Sequence, residues 1–211
     1  MRLLTEPYAE QQRHWPADGR HILAQYDEST IVVYQAYRPE IGEWAARHGH
    51  LGGPAFSLGR MSWVKPNFLW LMFRSGWGTK EGQEVTLAIR IRRAAFDAIL
   101  AEAVHSSSVD EVYGDKESWK AAVARSTVRL QWDPDHDPAG APLERRAIQL
   151  GLRGDVLRSF AREWIVELED ISSFVAEQRG RRGDLVTPRE RVYPVVDPAI
   201  AARLGVHGQR A

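Results

Sequence analysis

The stretch from Gly59 to Gly78, GRMSWVKPNFLWLMFRSGWG, is too apolar for a surface loop and too charged for an ordinary core strand. Trp63, Trp70 and Trp77 fall in it with Phe68 and Phe73, and Arg60, Lys65 and Arg74 are threaded among them. An ionised side chain is costly to bury unless it is paired. Pro66 breaks the stretch, and proline is tolerated in sheets only at edges, strand starts or bulges, so the pattern predicts two short strands or one bulged strand. Beyond Pro66, period-two geometry would set Phe68, Trp70 and Met72 on one face and Leu69, Leu71 and Phe73 on the other. Arg74 and Ser75 would then close the strand beside the glycines of SGWG, where backbone N–H groups become available to phosphate.

Rings and cations together suit a planar or anionic ligand, stacked on aromatic faces and held by its phosphates or carboxylates. The candidate binding residues are therefore Arg60, Trp63, Lys65, Asn67, Trp70, Arg74 and Ser75, with Arg74 the foremost anion ligand. The competing reading is an edge strand whose aromatics are core and whose cations reach solvent. It accounts for Phe68 and Leu71, and poorly for Arg60, Lys65, Asn67 and Arg74 together.

The 211 residues suffice for one large domain. Lys plus Arg equals Asp plus Glu, 28 against 28, so no overall basic field attracts polyanions. The absence of cysteine excludes disulfides, thiolate nucleophiles and Cys-ligated zinc. The N-terminus has no apolar signal region, and no apolar run approaches the roughly 18 residues of a membrane span. The expectation is a soluble, cytoplasmic protein with no membrane partner.

Along the chain, residues 1–29 read as a polar arm, 30–180 as the core domain and 181–211 as an extended Pro- and Arg-rich tail packing on it. TIVVYQAY (Thr30 to Tyr37) reads as a buried strand. EIGEWAARHG reads as a helix with Gly49 as C-cap. VTLAIRIR alternates with Val85, Leu87, Ile89 and Ile91 on one face, and RAAFDAILAEAV continues as a helix with Phe96, Ile99, Leu100 and Val104 inward. A helix starts near Asp115, and STVRLQWD and RAIQLGL are strands separated by the turn-rich loop DPDHDPAGAPLE. RGDVLRSFAREWIVELED reads as one amphipathic helix carrying Trp164, Ile165 and Leu168, followed by the helix ISSFVAEQRG. Together these elements predict a single α+β domain with a mixed, mostly antiparallel sheet and flanking helices.

YDESTIVVYQAY, RMSWVKPNFLWLMFRSGWG, VRLQWDPDHD and RRAIQLGL resemble the family called domain of unknown function 4291, from about His21 to about Pro194. That resemblance identifies relatives and implies no reaction. A second resemblance, of layout, is to ADP-ribosyltransferase-like folds: VVYQAYR leads into a helix, a loop and the aromatic segment, then VTLAIRIR and RAAFDAIL. It implies NAD as cofactor, with a first strand presenting a His or Arg to the dinucleotide and a late strand supplying a Glu. Here Gln35 or Arg38 would fill the first role, and Gln149 stands where the Glu is expected, so Gln35, Arg38 and Gln149 are the candidate catalytic residues.

Other clusters are weaker. Asp133, Asp135, His136 and Asp137 lack the glycine and closing Glu of a calcium loop, and turn chemistry explains them without a metal. No HExxH or GxSxG motif is present. Glu190 in RERVYP is either a late acidic candidate or, more simply, a solvated surface pair. The reading is a nucleotide-binding enzyme, ADP-ribosyltransferase-like, in which Arg74, Arg60 and Lys65 hold phosphates, Trp63 or Trp70 stacks a base and Gln35 reads an edge. The alternatives are a module binding RNA or single-stranded nucleic acid, which uses the same residue types, and a protein-interaction domain.

Overall fold

The computed structural model describes residues 3–181 and 184–207. Residues 1, 2, 182, 183 and 208–211, which fall in the expected arm and tail, lie outside the described residues. The first half of the chain forms β1 (Thr5–Pro7), α1 (Tyr8–Gln12), β2 (Gly19–Arg20), β3 (Leu23–Ala24), β4 (Thr30–Tyr37), α2 (Pro39–His48), β5 (Ser62–Val64), α3 (Phe68–Ser75) and β6 (Val85–Arg92). Then come α4 (Arg93–Glu102), β7 (Ala103–His105), α5 (Asp110–Tyr113), α6 (Lys116–Arg125), β8 (Val128–His136) and β9 (Pro142–Leu152). The chain continues through α7 (Gly154–Arg162), β10 (Ile165–Asp170), α8 (Ser172–Gly180), β11 (Val186–Pro188), β12 (Arg191–Val192) and α9 (Pro198–Leu204). The protein is α+β, with strand pairing mixed and mostly antiparallel.

Two sheets organise the core. One runs β10–β6–β4, antiparallel throughout. In the other, β9 pairs antiparallel with β8 and β5 and parallel with β2, and β8 pairs parallel with β7. The first sheet is covered on both faces, which is why its strands read as nearly continuous apolar runs. Ile31 and Val33 of β4 face one cluster with Leu87, Ile89 and Ile91, while Val32 and Tyr34 face a second with Phe68, Leu71 and Met72. The two sheets share one apolar cluster, and their backbones are joined where Tyr34 and Lys65 exchange both hydrogen bonds, at 2.7 and 3.2 Å.

The aromatic segment departs from its expected form. Ser62–Val64 is a strand, but Phe68–Ser75 is a helix, so the alternating faces drawn from period two do not exist. A run of six apolar residues, Phe68 to Phe73, has no periodicity to separate a buried strand from a buried helix. The termini decide it. Pro66 has no N–H with which to continue β5, Asn67 Oδ1 accepts from Trp70 N at 2.6 Å as N-cap, and Gly76 closes the helix in the left-handed conformation (φ 58°).

Three further expectations change. The sequence RGDVLRSFAREWIVELED is not one helix: α7 stops at Arg162, and Ile165–Asp170 pairs with β6, carrying Ile165 and Leu168 as strand residues. Val104 belongs to β7 rather than to the preceding helix. The DPDH of the expected loop is strand, bulged between Pro134 and His136, leaving a short turn around Asp137–Ala141. By contrast, β4, β6 and α2 with its Gly49 C-cap (φ 71°) lie where the sequence reading put them.

The two ends of the chain are tied to each other over the core. β1 pairs with β11 and β3 with β12. Buried Gln11 donates to Thr187 Oγ1 (2.6 Å) and Pro188 O (3.0 Å) and accepts from Glu190 N (2.7 Å). Glu190 is no surface pair: it is 1% exposed, and its carboxylate accepts from Phe68 N (2.7 Å) and Asn67 Nδ2 (3.2 Å), capping α3 from the tail. Burial pushes its pKa well above the ordinary value, with the Phe68 N–H opposing.

Two outcomes follow for stability. Asn67→Ala should cost about 1–2 kcal/mol, read by urea denaturation, because it removes the cap of a buried helix. A carboxyl whose folded pKa is raised binds its proton more tightly when folded, so its contribution is complete at acid pH and is lost as the pH climbs above 4.5 and through the raised value. The melting temperature of Glu190→Gln should therefore fall less than that of the parent as pH rises.

Candidate functional site

Where β4 and β5 cross, a cleft of about 340 Å³ opens between the two sheets. Its lining includes Gln35, Tyr37 and Arg38 from β4 and the residue after it, Arg60 and Trp63 from the β5 segment, and Lys65. Of the ten candidate residues, Gln35, Arg38, Arg60, Trp63 and Lys65 thus share one cavity. Arg38 and Arg60 are exposed and stand at the rim, and Arg38 lies 3.7 Å from Glu40. Trp63 is half-buried, and its ring lies close over Gly151, where an added Cβ would come within 3.0 Å of it.

Gln35 is 2% exposed. Its Nε2 donates to Ser62 Oγ (2.7 Å) and Trp63 O (3.2 Å), while its Oε1 has no partner. A buried carbonyl oxygen without a donor costs free energy, so this atom is a place for a ligand donor. Ser62 Oγ also meets the Tyr37 hydroxyl at 2.7 Å. Burial pushes the Tyr37 phenol up to about 12, against its hydrogen bonds from Ser62 and Gln35, so it stays neutral at physiological pH.

Lys65 is 8% exposed, and among the described residues its ammonium has no hydrogen bond and no carboxylate within ion-pair distance. Its pKa falls to about 8, chiefly through burial and then through the charge of Arg74, with Asp133 pulling the other way. Arg74 sits exposed in the last turn of α3, near enough to Lys65 for that repulsion. A cation there is favoured by the helix C-terminus, whereas the expected strand end with its phosphate-binding amides is not present.

Asp133 is the carboxylate whose charge reaches Lys65, although in the sequence its DPD setting reads as turn chemistry. Its Oδ1 accepts from Gln131 Nε2 and its Oδ2 from Gln149 Nε2, both at 2.7 Å. Gln131 and Gln149 are cross-strand partners on β8 and β9, and period two brings Asp133 to the same face as Gln131. That alternation in LQWD was the available signal. Gln149 is therefore committed to Asp133 rather than presented to the cleft.

Asn67, Trp70 and Ser75 are also engaged elsewhere. Asn67 caps α3 as described. Trp70 is 4% exposed and lies in a ring cluster with Phe73 and His136. Ser75 is fully buried and accepts from Gly78 N at 3.3 Å. The aspartate cluster divides as well: Asp135 is taken by Arg145 (2.7 Å) and Asp137 by the Ala141 N–H. A second cleft, of about 990 Å³, has walls that include Met72, Phe73, Trp77 and Leu185 and contains none of the ten candidate residues.

The fold and this geometry define a single α+β domain with a small polar cleft between two sheets, floored by an uncompensated lysine. The family model described as Domain of unknown function (DUF4291) matches residues 21–193, and the chain belongs to that family. No curated protein matches the chain. No helix among the described residues is long and apolar enough to cross a membrane.

The electrostatics make a direct test possible. Arg74→Ala should raise the Lys65 pKa towards 10.5, and Asp133→Asn should lower it below 8, measured by NMR titration of methylated lysine. A lysine whose folded pKa is depressed destabilises the fold while it is charged, and that cost is relieved as pH rises from 8 towards 10.5. Lys65→Met should accordingly stabilise the protein at neutral pH by about 3 kcal/mol, taking ~1.4 kcal/mol per pKa unit.

Proposed function

We propose that the cleft at the crossing of β4 and β5 binds an anionic, nucleotide-like small molecule and that the protein is an enzyme acting on it. The observation that carries this reading is Lys65, a nearly buried ammonium with no counter-ion and with a second cation, Arg74, close by. Such an arrangement is costly in the empty protein and is relieved when a ligand brings the missing negative charge. Arg60 and Arg38 at the rim add donors for phosphate, Trp63 offers a ring for a base, and Gln35 Oε1 accepts from a ligand N–H or O–H.

The cleft lies near the lower end of the ~300–1,000 Å³ typical of small-ligand sites, which suits one nucleotide or half of a dinucleotide. The layout resemblance points to transfer of ADP-ribose from NAD. Gln149 does not supply the acidic group of that reaction, since its amide is held by Asp133 Oδ2. A single-stranded nucleic-acid module is the weaker reading, because the cations converge on a small cleft instead of tracking a backbone, and the chain has no net charge.

Differential scanning fluorimetry with ADP and NAD tests this. Either nucleotide at millimolar concentration should raise the melting temperature, and Arg60→Ala or Arg38→Ala should weaken apparent affinity by about ten- to a hundredfold, the loss of one charged hydrogen bond. Binding of an oligonucleotide with a steep salt dependence, and of neither nucleotide, would overturn the small-molecule reading.

A further inference from the structure

We propose that Lys65 is an amine nucleophile that forms a Schiff base with an anionic hydroxy-carbonyl compound, a phosphorylated sugar in its open-chain form being the simplest case. This rests on the anion-binding reading of the same cleft and adds a covalent step to it.

Three features of the cleft support the step. Lys65 lines the cavity and its amine has no partner among the described residues, so no existing bond must break before it reacts. Burial and the neighbouring Arg74 hold a useful fraction of it neutral near physiological pH, the two means by which lysine nucleophiles are activated. Gln35 Oε1, unpartnered and lining the same cleft, is an acceptor for a substrate hydroxyl, and the rim arginines Arg38 and Arg60 can take the phosphate. A ligand with a carbonyl, a hydroxyl and an anionic group satisfies all of these at once.

The step balances without an oxidant or a reductant. The lysine lone pair forms the C–N bond as the carbonyl π pair moves to oxygen, and one N–H proton passes to that oxygen to give the carbinolamine. Departure of the hydroxyl with a proton leaves the imine and one molecule of water.

Pyridoxal 5′-phosphate, an aldehyde carrying both a phosphate and a hydroxyl, is a suitable probe on the full chain. After borohydride reduction, peptide mass spectrometry should find the adduct on Lys65. The other lysines, Lys80, Lys116 and Lys120, are exposed, lie outside the cleft and serve as internal controls, expected to label at least about tenfold less because no site gathers the aldehyde and its phosphate beside them. Labelling of Lys65 should fall with competing inorganic phosphate, with pyridoxal lacking the phosphate, and in Gln35→Leu. Lys65→Arg should lose that adduct while the control lysines still label.

Equal labelling of all lysines, or none at Lys65 while ADP or phosphate still raises the melting temperature, overturns the Schiff base and leaves the binding reading standing. Failure of both the thermal shift and the labelling overturns the two together.

Discussion

The pair of backbone hydrogen bonds between Tyr34 and Lys65 is the joint on which the site depends. It sets the register of β4 against β5 and so joins the β10–β6–β4 sheet to the sheet built on β9. With it, Gln35 and Tyr37 come against Ser62 and Trp63, and the Lys65 side chain is fixed at the crossing. Both strands are anchored from behind. β4 pairs along its full length with β6, and β5 pairs with the end of β9, so the crossing is held by ladders on either side.

The elements around the joint are set by short-range chemistry. Pro66 stops β5 one residue after the bridge, and Asn67 immediately starts α3. The buried carboxylate of Glu190, brought from the far end of the chain, completes the cap. That contact in turn is held by Gln11 from the N-terminal segment, so both chain ends support the helix that carries Arg74. The two regions that look most expendable in the sequence therefore position a charge next to Lys65.

Lys65 illustrates a conflict between stability and function. The fold would gain by replacing a buried ammonium with an apolar side chain, and nothing in the packing of the core requires the charge. Asp133 does not neutralise it at close range, because both of its oxygens are occupied by the amides of Gln131 and Gln149. A neutral pair of amides orients the carboxylate without cancelling its charge.

The strands TIVVYQAY and VTLAIRIR and the helix EIGEWAARH were legible because their patterns are long and their boundaries carry strong local signals. The gathering of Gln35, Arg38, Arg60, Trp63 and Lys65 in one cleft matches the residue types singled out, although no pattern in the chain gives their distances. What the chain alone could not decide is the state of FLWLMFRS and WIVELED, where local preference is balanced and burial or strand pairing makes the choice. Nor could it separate Asn67, Trp70 and Ser75 from the cleft, or bring Asp133 to Lys65. Those outcomes depend on contacts between residues far apart in sequence, from the Glu190 cap on α3 to the β8–β9 register, and such contacts exist only once the sheets have closed on each other.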